Sequence, residues 1–148
     1  MRARLLASLA FLTLAGCGGS STGTVAQSSA SPSPSPSPVF TKYKAQDVID
    51  AWAKAGLTVT GQKPCEQTST TIPKTFDEDV CFTIPSIAPA GGQLFTFSTP
   101  TNQAAIVAYF GQYITLAPYV YSHANAVAQL NSNLPAAEAA KYDAAMPK

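Results

Sequence analysis

Charge is scarce in this 148-residue chain, where Asp, Glu, Lys and Arg together make up 11% of the residues. So little charge provides no basic stripe for nucleic acid and no polybasic patch for anionic lipid. Histidine is scarcer still. A single histidine, His123, excludes a multi-histidine metal centre. The three cysteines, Cys17, Cys65 and Cys81, have neither zinc-ligand spacing nor the Cys-x-x-Cys arrangement that tunes one thiolate against another. A Gly-x-Ser-x-Gly elbow, a phosphate loop and a dinucleotide-binding glycine pattern are all missing, so no metal or cofactor is expected. The apolar run from Leu5 to Leu14 is too short for the roughly 20 residues that a membrane-spanning helix needs.

That run has a different reading. Arg2 and Arg4 precede it, and Leu14-Ala15-Gly16-Cys17 follows. The arrangement resembles a bacterial lipoprotein processing signal, with a positive n-region held on the cytoplasmic side and a short apolar h-region entering the export machinery. The resemblance implies a signal peptide over residues 1–16, cleavage before Cys17, and a Cys17 thiol joined to diacylglycerol. Two or three palmitate-type chains on one residue make a lasting anchor where a single chain holds only marginally. The expected location is the extracytoplasmic face of a membrane of the bacterial cell envelope.

Residues 17–38 read as a tether. From Gly18 to Pro38 there is no charge and almost nothing apolar to bury, so the segment cannot offset the entropy of ordering. Its Gly/Ser/Thr half is a flexible coil. The Ser-Pro repeat from Ser31 to Pro38 favours polyproline II, at about 3.1 Å per residue or roughly 25 Å in all.

Residues 39–148 are long enough for one domain with one core. Seven lysines face eight carboxylates there, a side-chain balance of −1. With Cys17 assigned to lipid, Cys65 and Cys81 remain outside the reducing cytoplasm and are expected to pair; two unpaired buried thiols are the alternative. Val48, Ile49 and Trp52 predict a helix over 45–55, with Gly56 placed for a left-handed cap. A short strand at 57–60 follows. Alternation then predicts an antiparallel pair of strands at 80–84 and 94–97. Thr99 and Pro100 open a second helix with Ile106, Tyr109, Phe110 and Tyr113 as its stripe. Residues 119–121 and 126–130 read as a second antiparallel pair turning over 122–125. A last helix over 135–145 points Ala139, Tyr142 and Met146 inward. The order α-β-β-β-α-β-β-α predicts an α+β fold, a two-layer sandwich of an antiparallel sheet of about five strands with three helices on one face.

Three stretches, DVIDAWAKAGL at 47–57, GGQLFTFSTP at 91–100 and AVAQLNSNLPAAEAAKYDAAM at 126–146, resemble small bacterial lipoprotein domains of uncharacterised function. The resemblance covers most of the domain and implies the fold and the tethering. It transfers no active-site residue. Lys44 departs from it, standing where a small hydroxyl residue would cap the first helix.

Few residues offer chemistry. Asp77-Glu78-Asp79 is the acidic cluster, without the twelve-residue loop of a calcium site. His123 falls in a predicted turn beside Asn125, with no nucleophile placed beside it by any motif. Tyr119 and Tyr121 share one strand face and form a candidate aromatic platform for a sugar or peptide, or pack half-buried on a helix. Two function classes follow. One is a non-catalytic binding or accessory module that contacts an envelope protein, a glycan or a small ligand through the sheet face or an edge strand. The other is a minimal envelope hydrolase using the acidic loop with His123 as proton carrier.

Overall fold

The computed structural model describes residues 40–148; the expected signal peptide, Cys17 and the tether over 17–38 lie outside the described residues. The first helix, α1 (Ala45–Lys54), buries Ala45, Val48, Ile49 and Trp52 along one side. It stops at Gly56, whose φ of +78° is the left-handed conformation expected there. The Gly56 amide then donates to the Ala53 carbonyl at 3.0 Å and the Leu57 amide to the Trp52 carbonyl at 2.9 Å, which satisfies the helix's last carbonyls.

Five strands follow: β1 (Thr60–Pro64), β2 (Glu78–Thr83), β3 (Gly91–Thr96), β4 (Tyr119–His123) and β5 (Ala126–Leu130). They form one antiparallel sheet in the order β1-β2-β3-β5-β4, so β1 and β4 are its edges. The second helix, α2 (Pro100–Gly111), lies between β3 and β4, and α3 (Ala136–Ala145) closes the chain. Class, element order, strand number and helix number are those read from the sequence.

Alternation along the strands divides the core in two. Val80, Phe82, Leu94, Ala126, Ala128, Leu130, Tyr119 and Tyr121 belong with α1 and α3, around Trp52 and Tyr142. Trp52 meets Phe82 and Tyr142 edge-on, with ring centroids 5.4 and 5.3 Å away, and its Nε1 donates to the Tyr142 carbonyl at 2.9 Å. Such aromatic contacts contribute about 0.5–1.5 kcal/mol beyond their buried area. On the opposite parity, Phe95, Phe97 and Val127 pack with Ile106 and Phe110 of α2. The expectation that all three helices share one face is therefore corrected: α2 covers the other one. Phe95, Phe97 and Val127 make part of the second parity apolar as well, so a single helical layer would leave these side chains in water.

Smaller departures have local causes. The first strand begins at Thr60 rather than 57, because Leu57 and Val59 pack into the first core while a register shift between Thr60 and Lys63, at Gly61 with φ of +61°, admits the exposed edge residues. Tyr113 lies beyond the end of α2 and is exposed, so the buried stripe is Ile106 and Phe110. The β4–β5 turn narrows to Ala124-Asn125, because Ser122 pairs with Val127 and His123 with Ala126. His123 thus ends a strand. Thr99 caps α2 as expected, accepting from the Asn102 amide at 3.3 Å.

Cys65 and Cys81 form a disulfide with their Cα atoms 5.0 Å apart. It fastens the residue after β1 to the middle of β2. Among the described residues no helix is long and apolar enough to cross a membrane.

Candidate functional site

The face of the sheet under α2 is only half covered. One row of cross-strand neighbours, Asp79, Phe95, Val127 and Ser122, runs beneath the helix. Two residues along each strand, the next outward-facing row is Lys63, Cys81, Gln93, Gln129 and Val120, and beyond it Thr83 faces Gly91. Val120, at the β4 end of the row, packs with the second core, and the remainder of these rows is open. They floor an open groove of about 390 Å³ whose lining also includes Gly61 and Asn131.

Sequence and register together make this surface. Gln93 and Gln129 take the outward positions in strands whose inward positions are Leu94, Ala128 and Leu130, so alternation sends two carboxamides to the same side. Gly91 lets β2 and β3 approach closely at the end of the groove. A Cβ there would come within 1.8 Å of the Phe82 carbonyl oxygen, so the strands approach only because the side chain is missing. The Asn131 amide donates to the Gly91 carbonyl at 2.9 Å and ties down the rim.

The chemistry of the groove is neutral and bifunctional. A carboxamide donates and accepts at once, and the side chain of Gln93 makes no hydrogen bond to any described residue. Gln129 spends one donor on the Leu130 carbonyl at 2.7 Å and keeps its oxygen free of described partners. Among the described residues, Lys63 is the one charged group in the lining. Such a surface can hold hydroxyls or amides of an uncharged partner; it has no pair of titratable groups to move a proton. Another concavity, of about 420 Å³, lies against α1 between Tyr43, Asp47, Asp50 and Lys54, whose walls are exposed side-chain ends rather than strand backbone.

The residues singled out from the sequence are dispersed. In the acidic cluster, strand alternation turns Glu78 and Asp79 to opposite faces. The Asp77 carboxylate accepts from Ser98 Oγ at 2.7 Å. Glu78 accepts from the Ala45 amide at 2.7 Å and from Thr96 Oγ1 at 3.1 Å. Asp79 accepts from Gln67, its Oδ1 has no partner among the described residues, and burial pushes its carboxyl above the ordinary 3.8, against the Gln67 hydrogen bond that lowers it. His123 meets none of the three. Its Nε2 lies 2.7 Å from Oδ1 of Asp143 on α3, a residue that sequence reading passed over.

Tyr119 and Tyr121 do share one face of the edge strand β4, and both pack half-buried against the first core. Burial, the Asp143 carboxylate and Tyr119, in that order, push the Tyr121 phenol above 10, so it remains a neutral hydrogen-bonding group. Among the described residues, no three His, Cys, Asp or Glu side chains gather as a metal would require. Gln93, Gln129 and Asn131 were also missed. Gln93 and Gln129 were present as lone carboxamides in otherwise apolar strands and Asn131 follows β5 directly, but only the pairing register brings them together. No family model, curated protein or solved structure matches this chain.

Proposed function

We propose that this chain is a lipid-anchored extracytoplasmic lipoprotein whose domain is a non-catalytic binding or accessory module of the cell envelope, with the open half of the sheet face as its ligand surface. The Leu14-Ala15-Gly16-Cys17 signal and the Ser-Pro spacer support the anchoring. The row Lys63, Cys81, Gln93 and Gln129 carries the binding assignment. The sheet covers Phe95, Val127 and Val120 with α2 but leaves Lys63, Gln93 and Gln129 at an open groove, which supports contact with something from outside. Uncharged hydrogen-bonding matter, the hydroxyls of an envelope glycan or the backbone of an envelope protein, matches its donors and acceptors.

Crosslinking of the intact chain in cells, followed by recovery from the membrane fraction, tests both parts. The expected result is a reproducible envelope partner that is lost when Gln93→Ala and Gln129→Ala are combined, with the thermal midpoint unchanged. A partner retained by the double variant would overturn the groove assignment. Recovery of the chain from the soluble fraction, with no acyl mass on its first mature residue, would overturn the anchor.

A further inference from the structure

We infer that the C-terminal end of α2 and the turn after it seat on the surface of the bilayer to which Cys17 ties the chain, an inference that rests on the anchor reading above. Among the described residues, the large apolar side chains left exposed are Val107, Tyr113, Ile114 and Leu116, at 37, 39, 57 and 74% exposure. All four fall within ten residues. The segment is held in shape: the amides of Tyr113, Leu116 and Ala117 donate to the carbonyls of Phe110, Tyr113 and Tyr113 at 2.9, 2.8 and 2.8 Å, and Ala117 is buried in the second core. Tyr113 packs on Tyr109 with centroids 5.1 Å apart, and Tyr109 on Phe110 at 5.3 Å, so the patch is continuous with that core.

Two observations identify the bilayer as the occupant. No Asp, Glu, Lys or Arg occurs anywhere from Val80 to Ala137, so nothing in this stretch must be desolvated as a charge on approach to lipid. In addition Phe40, where the described chain begins, packs against the same second core beneath α2. The described chain thus starts on the α2 side of the sheet, and 22 residues separate Phe40 from Cys17 in the sequence. The patch is small for a second copy, because a stable protein interface occupies roughly 800 Å² and about 20 residues on each partner. For a membrane contact it is sufficient. Tyrosine and aliphatic side chains suit the headgroup boundary, and the anchor supplies the local concentration that a weak contact needs. Gln93 and Gln129 open on this same face of the sheet, so the seat turns the groove toward matter held near the membrane.

The test uses the full lipidated chain in vesicles of zwitterionic phosphatidylcholine, with and without bromine atoms on the acyl chains. Leu116→Trp places an indole in the patch, and the buried Trp52 serves as an internal reference that lipid bromines do not reach. The expected result is quenching of the added emission by about two-fold or more, with the Trp52 emission of the parent unchanged. A chain that floats with the vesicles but shows no added quenching overturns the seat and leaves the anchor standing. A chain that does not float overturns the anchor and the seat with it. Sedimentation as a dimer that Leu116→Ser converts to monomer, without quenching, gives the patch to a second copy and likewise overturns the inference.

Discussion

Glu78, on β2, accepts the backbone amide of Ala45 at 2.7 Å, so a strand 33 residues away caps the first helix. Lys44 at the cap position has no side-chain acceptor, and Asp47 bonds back to the Lys44 amide at 2.8 Å, which leaves the Ala45 amide to Glu78. A negative group there also faces the positive end of the helix dipole. Glu78→Ala should cost about 1–2 kcal/mol in urea unfolding, and Glu78→Gln less, since an amide oxygen still accepts. Equal losses in the two variants would mean that packing rather than capping is at stake.

The disulfide closes a loop with a sequence separation of 16 between β1 and β2. Cys65→Ser with Cys81→Ser should lower stability by about 3 kcal/mol in the chain-entropy account. The same shift should follow reduction of the parent, read as a fall in the denaturant midpoint. Most of the loss belongs to the unfolded chain, so the folded variant should keep its far-ultraviolet spectrum.

Burial holds the Asp79 carboxyl above 3.8. In the window just above that value the folded chain binds more protons at this site than the unfolded one, so the contribution of Asp79 to stability falls as pH rises through it. Asp79→Asn has no proton to lose. Relative to the parent it should be more stable at pH 7 than at pH 3, and an offset that stays constant between these pH values would contradict the sign.

Glycine chemistry should act in opposite directions at two positions. Ala124, in the β4–β5 turn, has φ of +46°, where an L side chain is strained. Ala124→Gly should give a net gain of about 0.5 kcal/mol after the greater freedom of the unfolded chain is counted. At Gly91 the added Cβ meets the Phe82 carbonyl, and Gly91→Ala should cost about 3 kcal/mol as overpacking. Thermal midpoints of the two variants should move in opposite senses.

Asn125 explains why the strained turn persists. It is buried and accepts from the Tyr43 amide at 2.6 Å while donating to the carbonyls of Tyr43 and Phe97 at 2.9 and 3.2 Å. Gln103 of α2 adds a bond to the Ala124 carbonyl at 3.0 Å. Asn125→Ala should strand the Tyr43 amide without its acceptor and cost about 2 kcal/mol or more, measured by urea unfolding.

The sequence was legible wherever structure is made by near neighbours. Thr99 and Gly56 act at the helix ends read for them, because caps join residues three to five apart. Val48, Ile49 and Trp52 share a helix face because 3.6 residues make a turn, and Phe82, Leu94 and Leu130 point inward because strands alternate. The Cys65–Cys81 pairing was legible from cysteine count and expected compartment. Tyr113 was misplaced at a helix end, where periodicity alone does not say which turn is the last.

The residues by themselves thus determined the class and the order of elements, which follow from local spacing and capping, while the disulfide was expected only once the lipoprotein resemblance had set Cys17 aside. Tertiary structure decided which face α2 covers, that Glu78 caps α1, that His123 meets Asp143 rather than the acidic cluster, and that Lys63, Cys81, Gln93 and Gln129 stand in one row. The physical reason is register. A strand specifies its own alternation, but only pairing with distant strands determines which outward residues become neighbours, and only the apolar area left over on each face determines where the helices lie.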